Sequence, residues 1–417
     1  MKQRYIIFDS AQKDAEFDTE ALLRGTMLGS AAGGLAGGGA PWEQSFGTGY
    51  IGAAADAPPR LRYSIEYLDD AEAQDLNDDP AMPDTFPAEV PLTLIAPRSS
   101  VWNQIDPVPW GLSAVGALST ACTGRGVRVA VLDTGIKLDH LAFFSLLWQK
   151  RIVVRNFTEG APDDVTDVHG HGTHCAGTIA GGVVGHQRIG IAPNIDRLIV
   201  GKVLGSGDNT NETLLEAIQW AARERANIIS MSLGVDFPGL VERLHTKKNL
   251  PLQAATSKAL KQYRDTVTLF SKMSDYLSAR NVLLVAATGN ESRRPQYTVD
   301  VSPPAASEHI LKVGAVSRPV GGSFPVAPFS NTGADLVAPG ADILSASIDG
   351  GLQSLSGTSM ATPHVAGVAA LWAEQLLARN GAISFQDIKT DLLASAQPLA
   401  GKRADVGRGL VRAPQLH

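Results

Sequence analysis

Ser356-Gly357-Thr358-Ser359-Met360-Ala361-Thr362-Pro363-His364-Val365-Ala366-Gly367 holds a serine, Ser359, between a glycine-bearing turn and an Ala/Val/Gly-rich run that reads as the start of a buried helix. At a helix N-terminus a hydroxyl sits beside unpaired backbone N–H groups and the positive end of the helix dipole. That setting suits a nucleophile whose attack creates an oxyanion. Serine and threonine are also ordinary helix caps, so the motif acquires meaning only from what lies upstream.

Two upstream motifs supply it. Val129-Ala130-Val131-Leu132-Asp133-Thr134-Gly135 reads as a strand buried on both faces and ending in a carboxylate, and open α/β sheets place their sites at the carboxyl ends of such strands. Taken alone, Asp133 before Thr-Gly is a turn former. His169-Gly170-His171-Gly172-Thr173-His174-Cys175-Ala176-Gly177-Thr178 reads as a tightly packed helix with histidines at its start. His171 and His174, three apart, share a helix face. No Glu or Asp lies between them as in HExxH, so the expectation is no metal and no cofactor.

Asp133, His171 and Ser359 thus have the types and the chain order Asp…His…Ser, one of the orders in which a catalytic triad occurs. Through Val131-Leu132-Asp133-Thr134-Gly135, Gly170-His171-Gly172-Thr173-His174 and Gly357-Thr358-Ser359-Met360-Ala361, the chain resembles the subtilase family from about Trp102 to the C-terminus. The resemblance implies a serine endopeptidase. In it Asn290 of Thr288-Gly289-Asn290-Glu291 joins the backbone N–H of Ser359 as oxyanion donor. Ser232, Leu233 and Gly234 then pair with an extended protein or peptide substrate, and Gly289 lies in the same substrate-binding region. Strand addition of this kind gives affinity with little sequence preference. In the implied chemistry His171 takes the serine proton, Asp133 fixes the imidazole without being protonated, and water releases an acyl-enzyme.

The 417 residues, 44% hydrophobic, suffice for one large domain and a smaller one. Buried strands at 129–132, 228–231, 282–287 and 311–316 alternate with helical stretches such as 211–225. The expected fold is α/β: a doubly wound, mainly parallel sheet with helices on both faces. No stretch reaches the roughly 18 apolar residues of a membrane span. A formal net charge of −6 with scattered Lys and Arg leaves no basic patch for nucleic acid. Met1-Lys2-Gln3-Arg4 is followed by an apolar run broken at Asp9, which is not a secretory signal, so a cytoplasmic location is favoured.

Residues 1–98 carry −9 and the remainder +3, a split that marks 1–98 as a small N-terminal α+β domain and 99–417 as the catalytic domain. Within the first unit, residues 4–8 and 63–67 read as strands, 70–76 as an acidic helix stopped by Asp79-Pro80, and 90–95 as a last strand. The Gly/Ala-rich stretch 29–55 reads as a flexible loop. Such a unit resembles the family's inhibitory propeptide, which implies an intramolecular inhibitor attracted in part by charge.

Departures from the family pattern are informative. The loop after the histidine helix, 181–188, has no carboxylate for the calcium that many subtilases bind there. Asp163, Asp164 and Asp167 form an acidic cluster that reads as a solvated loop or a cation site. Residues 235–280 exceed the usual connection and read as helices that form a wall or lid of the cleft. Cys175 reads as a small buried residue and Cys122 as a loop residue, with no spacing that asks for a disulfide. A dedicated precursor-peptide maturation protease, a peptide acyl-transferase and a non-catalytic scaffold stay open beside a general endopeptidase.

Overall fold

The computed structural model describes residues 2–8, 63–78, 82–99, 108–205, 207 and 209–415. The stretch 29–55, Asp79-Pro80 and Trp102 lie outside the described residues. At the N-terminus, β1 (Gln3–Phe8) is flanked antiparallel by β2 (Tyr63–Leu68) and β3 (Asp84–Pro87), and α1 (Asp70–Asp78) lies between β2 and β3 in the chain. Then come two short strands, β4 (Thr93–Leu94) and β5 (Arg98–Ser99). The strand expected over 90–95 is therefore cut to two residues. Pro91, which has no N–H to give a ladder, makes only an isolated bridge to Thr210.

From there the chain runs α2 (Trp110–Val115), β6 (Arg128–Asp133), α3 (Phe144–Trp148), β7 (Ile152–Asn156), α4 (His171–Ala180), the hairpin β8 (Val183–Val184) and β9 (Gln187–Arg188), β10 (Arg197–Lys202) and α5 (Asn211–Arg223). It continues through β11 (Ile228–Met231), β12 (Leu233–Gly234), α6 (Phe237–Thr246), α7 (Leu252–Ser278), β13 (Leu283–Ala287), β14 (Leu311–Val316) and β15 (Leu336–Pro339). β16 (Ile343–Ala346), β17 (Leu352–Ser356), α8 (Thr358–Asn380), α9 (Phe385–Ser395) and α10 (Arg403–Val406) complete it.

Seven strands form the central sheet in the order β15-β14-β13-β11-β6-β10-β7, and every neighbouring pair is parallel. Alternate side chains of one strand point to opposite faces. Val129 and Val131 of β6 pack with α4 and α8 on one side. Ala130 and Leu132 pack with α5 and α7 on the other. This is the doubly wound sheet expected from the buried strands. The chain leaves β6 toward β7 and returns to β11 on the other side, so the strand order reverses at β6, and its carboxyl end faces a crevice.

The N-terminal unit shares a core with the second face. Ile6, Phe8 and Phe86, all buried, join the cluster that contains Leu214, Leu215, Phe270 and Met273. Around them run the ion pairs Arg4–Glu212 at 2.6 Å, Lys258–Asp70 at 2.8 Å and Lys272–Asp84 at 2.6 Å. Burying one such side chain is worth about 1.5–3 kcal/mol, whereas an exposed ion pair gives about 0–1. Apolar burial thus holds the unit in place, and the charges set its orientation. The boundary expected after residue 98 falls inside β5, which pairs with β17.

Candidate active site

Asp133 closes β6 and His171 opens α4, which brings the two side chains together. His171 Nδ1 lies 2.7 Å from Asp133 Oδ1, and both groups are buried. The same Oδ1 accepts from the Thr134 N–H at 2.8 Å. Helix and strand approach closely because Gly172 has no side chain; a Cβ there would sit 2.2 Å from the Gly135 carbonyl oxygen. Among the described residues His171 Nε2 has no hydrogen-bond partner, so they hold the ring on one side and leave its other nitrogen uncommitted.

The residue that aims this helix is Asp167, which sequence reasoning placed in a loose acidic cluster. It is buried. It accepts from Thr134 Oγ1, from the N–H groups of His169, Gly170 and Thr173, and from Thr173 Oγ1, at 2.7–3.0 Å. Burial pushes its pKa up, yet the bonds from Thr173, Gly170 and Thr134 outweigh it and hold the carboxyl below its ordinary value. A carboxylate there satisfies the orphan N–H groups at the start of α4. The available sequence signal was an Asp shortly before a helix whose N-cap, Gly170, has no side chain to cap it.

Ser359 is the second residue of α8. Pro363 stands four residues on and lacks the N–H that would normally take the Ser359 carbonyl. Ser232 Oγ donates to that carbonyl at 3.1 Å and the Cys175 thiol does so at 3.4 Å. Ser232 thus braces the backbone of Ser359 and lies between β11 and β12 rather than within a strand. Cys175 is buried 3.8 Å from His171 Nδ1. Burial, followed by the Asp133 charge, raises its thiol pKa well above the usual value, which marks it as a neutral packing group. Both cysteines are free.

Asn290 follows β13. Its Oδ1 accepts from the Thr358 N–H at 2.8 Å and from Thr358 Oγ1 at 3.0 Å, which turns Nδ2 toward the cleft. Gly289 has φ +116° and a Cβ there would meet Asn331 Nδ2 at 2.3 Å, so only glycine fits. Asn331, not singled out in the sequence, holds this loop. Its Oδ1 accepts from the Glu291 and Ser292 N–H groups, and its Nδ2 donates to the Thr288 carbonyl and to Glu291 Oε2.

The chain's own residues 93–99 run through the cleft. β4 pairs antiparallel with β12, Thr93 opposite Gly234 and Leu94 opposite Leu233. β5 pairs with β17, Arg98 opposite Ser356 and Ser99 opposite Leu355. Between these clamps Ser359 Oγ donates to the Ile95 carbonyl at 2.8 Å, and Asn290 Nδ2 donates to the next carbonyl, Ala96, at 3.0 Å. Arg98 Nη2 donates to the Asn290 carbonyl at 3.0 Å. The Ser359 hydroxyl and the Asn290 amide therefore address consecutive peptide groups.

Beside this strap lies a cavity of about 810 Å³. α6 and α7, the segment read as a wall or lid, contribute Phe237, Leu260 and Tyr263 to its lining. Tyr263 Oη donates to the Val301 carbonyl at 3.1 Å, which fixes α7 to the opposite rim.

Asp133, His171 and Cys175 have potential ligand atoms within 4.8 Å of one another. The imidazole Nδ1 is already committed to the carboxylate and the thiol is neutral, so this donor set is poorly suited to a cation. In the hairpin after α4, Arg188 donates to the carbonyls of Gly190 and Ile191 at 3.0 and 2.8 Å. Among the described residues, no helix is long and apolar enough to cross a membrane.

Comparison with known proteins agrees with this geometry. Residues 124–409 match the model of the subtilase family. The intracellular serine protease of Paenibacillus polymyxa is 34% identical over 317 residues, covering 74% of this chain and 86% of that protein. The major intracellular serine protease of Bacillus subtilis (strain 168) is 33% identical, covering 74% and 88%. Subtilisin Savinase of Lederbergia lenta is 34% identical, covering 73% and 97%. The chain belongs to the subtilase family and is a subtilisin-like serine endopeptidase.

Proposed function

We propose that Asp133, His171 and Ser359 form the catalytic triad, that Asn290 Nδ2 and the Ser359 N–H form the oxyanion hole, and that the N-terminal unit is an intramolecular inhibitor. The observation that carries this reading is the strap: an extended segment paired with β12, touched by both the Ser359 hydroxyl and the Asn290 amide. A peptide substrate would pair along Leu233 and Gly234 as well, but seated so that one carbonyl faces both groups. Its carbon would meet Ser359 Oγ while its oxygen entered the donors. His171 Nε2, without a partner among the described residues, would take the serine proton, and Asp133 would stabilise the imidazolium.

The strap itself does not meet that requirement. Its Ile95 carbonyl oxygen receives the serine hydroxyl, so the serine proton is directed away from His171. Its Ala96 carbonyl occupies the amide donor. Hydrolysis needs both groups on one carbonyl, and a split register occupies the cleft without being a substrate. The test is labelling of the intact chain with a fluorophosphonate, followed by peptide mapping. Modification of Ser359, accelerated when an extended peptide is not competing, supports the assignment. Labelling elsewhere, or peptide hydrolysis by Ser359→Ala at the wild-type rate, refutes it.

A further inference from the structure

Between β6 and β7 the chain carries a stretch that is apolar on every side. In Leu141-Ala142-Phe143-Phe144-Ser145-Leu146-Leu147-Trp148 only Ser145 is polar. A helical stretch that is hydrophobic all round is ordinarily covered all round. Here the cover is one-sided. Ala142, Phe143 and Leu146 are buried in the core that α4 shares, whereas Leu141, Phe144, Leu147 and Trp148 are exposed. The Phe144 and Trp148 rings stack with their centres 6.3 Å apart. The Gly182 N–H donates to the Ala142 carbonyl at 2.8 Å, which brings the exposed Val183 of β8 beside them.

The size of this face is informative. A whole aromatic side chain has about 150–250 Å² to bury; Phe144 is 63% exposed and Trp148 80%, which leaves roughly 300 Å² of the two rings in water. Leu141, Leu147 and Val183 bring the apolar face to about 500 Å². A stable protein pair buries about 800 Å² per partner, and homodimer interfaces are about 65% apolar. The face thus supplies the apolar share of one partner's side.

It also carries both halves of a self-complementary contact. Trp148 projects, and next to it Phe144, Leu147, Trp148 and Lys150 line a groove of about 450 Å³, within the range of pockets that accept a ring. Lys150 ends the turn after α3 with φ +55°, where glycine is usual. Among the described residues it has no ion pair. An ammonium in an aromatic-walled groove attracts the face of an indole. A two-fold axis would make that contact twice, Trp148 of each copy entering the groove of the other. The formal net charge of −6 disfavours the other surface such a face could meet, an anionic membrane.

We propose that Phe144, Leu147, Trp148 and Lys150 form an isologous interface with a second copy of this chain. The inference stands apart from the active-site assignment. It is tested by sedimentation velocity on the full-length chain carrying Ser359→Ala, confirmed uncut by mass spectrometry, from about 1 to 100 μM. A dimer should form within this range. Trp148→Ala should raise its dissociation constant at least tenfold. Lys150→Met keeps the stem and loses the charge; with two contacts weakened it should raise the constant about fivefold or more. Both side chains are exposed, so the circular dichroism spectrum should not change. A monomer throughout the range overturns the proposal, as does a Trp148→Ala dimer as tight as that of the unaltered face. A monomer that binds vesicles of phosphatidylcholine and phosphatidylserine through Trp148 also overturns it, because the face would then belong to a lipid surface.

Discussion

Arg98→Ala should make the enzyme faster. Arg98 lies outside the proposed triad, yet its guanidinium ties the strap to the Asn290 carbonyl at 3.0 Å and rests near Phe329. A hydrogen bond from a charged donor contributes about 1.5–3 kcal/mol when buried, and a cation–π contact at an exposed site about 0.5–1. Arg98 is exposed, so we take about 1–2 kcal/mol for the two together. If the strap is closed most of the time, apparent kcat/KM scales with the small open fraction, because only that fraction binds substrate. Weakening closure by 1–2 kcal/mol should therefore raise kcat/KM by about 5- to 30-fold. The assay is the initial rate on a short peptide at low concentration, with mass spectrometry confirming that the chain is uncut. An unchanged or reduced kcat/KM in intact Arg98→Ala would refute the strap as inhibitor.

Four further outcomes are expected. Ser359→Ala should abolish hydrolysis and leave the circular dichroism spectrum intact. Asn290→Ala should lower kcat by roughly 10²–10³-fold with KM little changed, and a change confined to KM would mean that the amide binds ground-state substrate. Burial lowers His174 to about 3 and His364 to about 4. Below the unfolded value near 6.5 the unfolded chain binds protons that the folded chain refuses, so stability is full above pH 6.5 and falls toward pH 4. At pH 5 the two cost about 4 kcal/mol together, and a Tm of Ser359→Ala that does not drop between pH 7 and 5 would count against this. A chelator should leave Tm nearly unmoved, since a cation site at 100-fold saturation would be worth about 2.7 kcal/mol; a large drop would implicate Asp139, Asp163 and Asp164, which line one pocket together with Lys137.

What was legible in the sequence was whatever is written as a local motif. Asp133 at a strand end and Ser359 at a helix start follow from short patterns of apolar and small residues, and the alternation of strands and helices implied the doubly wound sheet. What was not legible depends on contacts between distant segments. Asp167 read as part of a solvated cluster because its five donors come from Thr134 and the start of α4. Asn331 gave no signal at all, since it acts on a loop 40 residues away in the chain. Ser232 was expected to offer its backbone to substrate; what the sequence did not show is that its hydroxyl donates to the Ser359 carbonyl, which Pro363 leaves without its helical partner. That proline was visible, and its missing N–H was the clue. The 90–95 strand was overextended because its pattern ignored Pro91.

The two clamps on the strap have a metrical consequence. With Leu94 fixed opposite Leu233 and Arg98 fixed opposite Ser356, only Ile95, Ala96 and Pro97 span the gap over the serine. Which carbonyl meets which donor is then decided by counting residues between two pins, and side-chain affinity has little say. One inserted residue would carry the Ala96 carbonyl off Asn290, and in an extended chain it would also turn each following side chain to the other face. The gap behaves as a ruler: its sequence can drift while its length cannot.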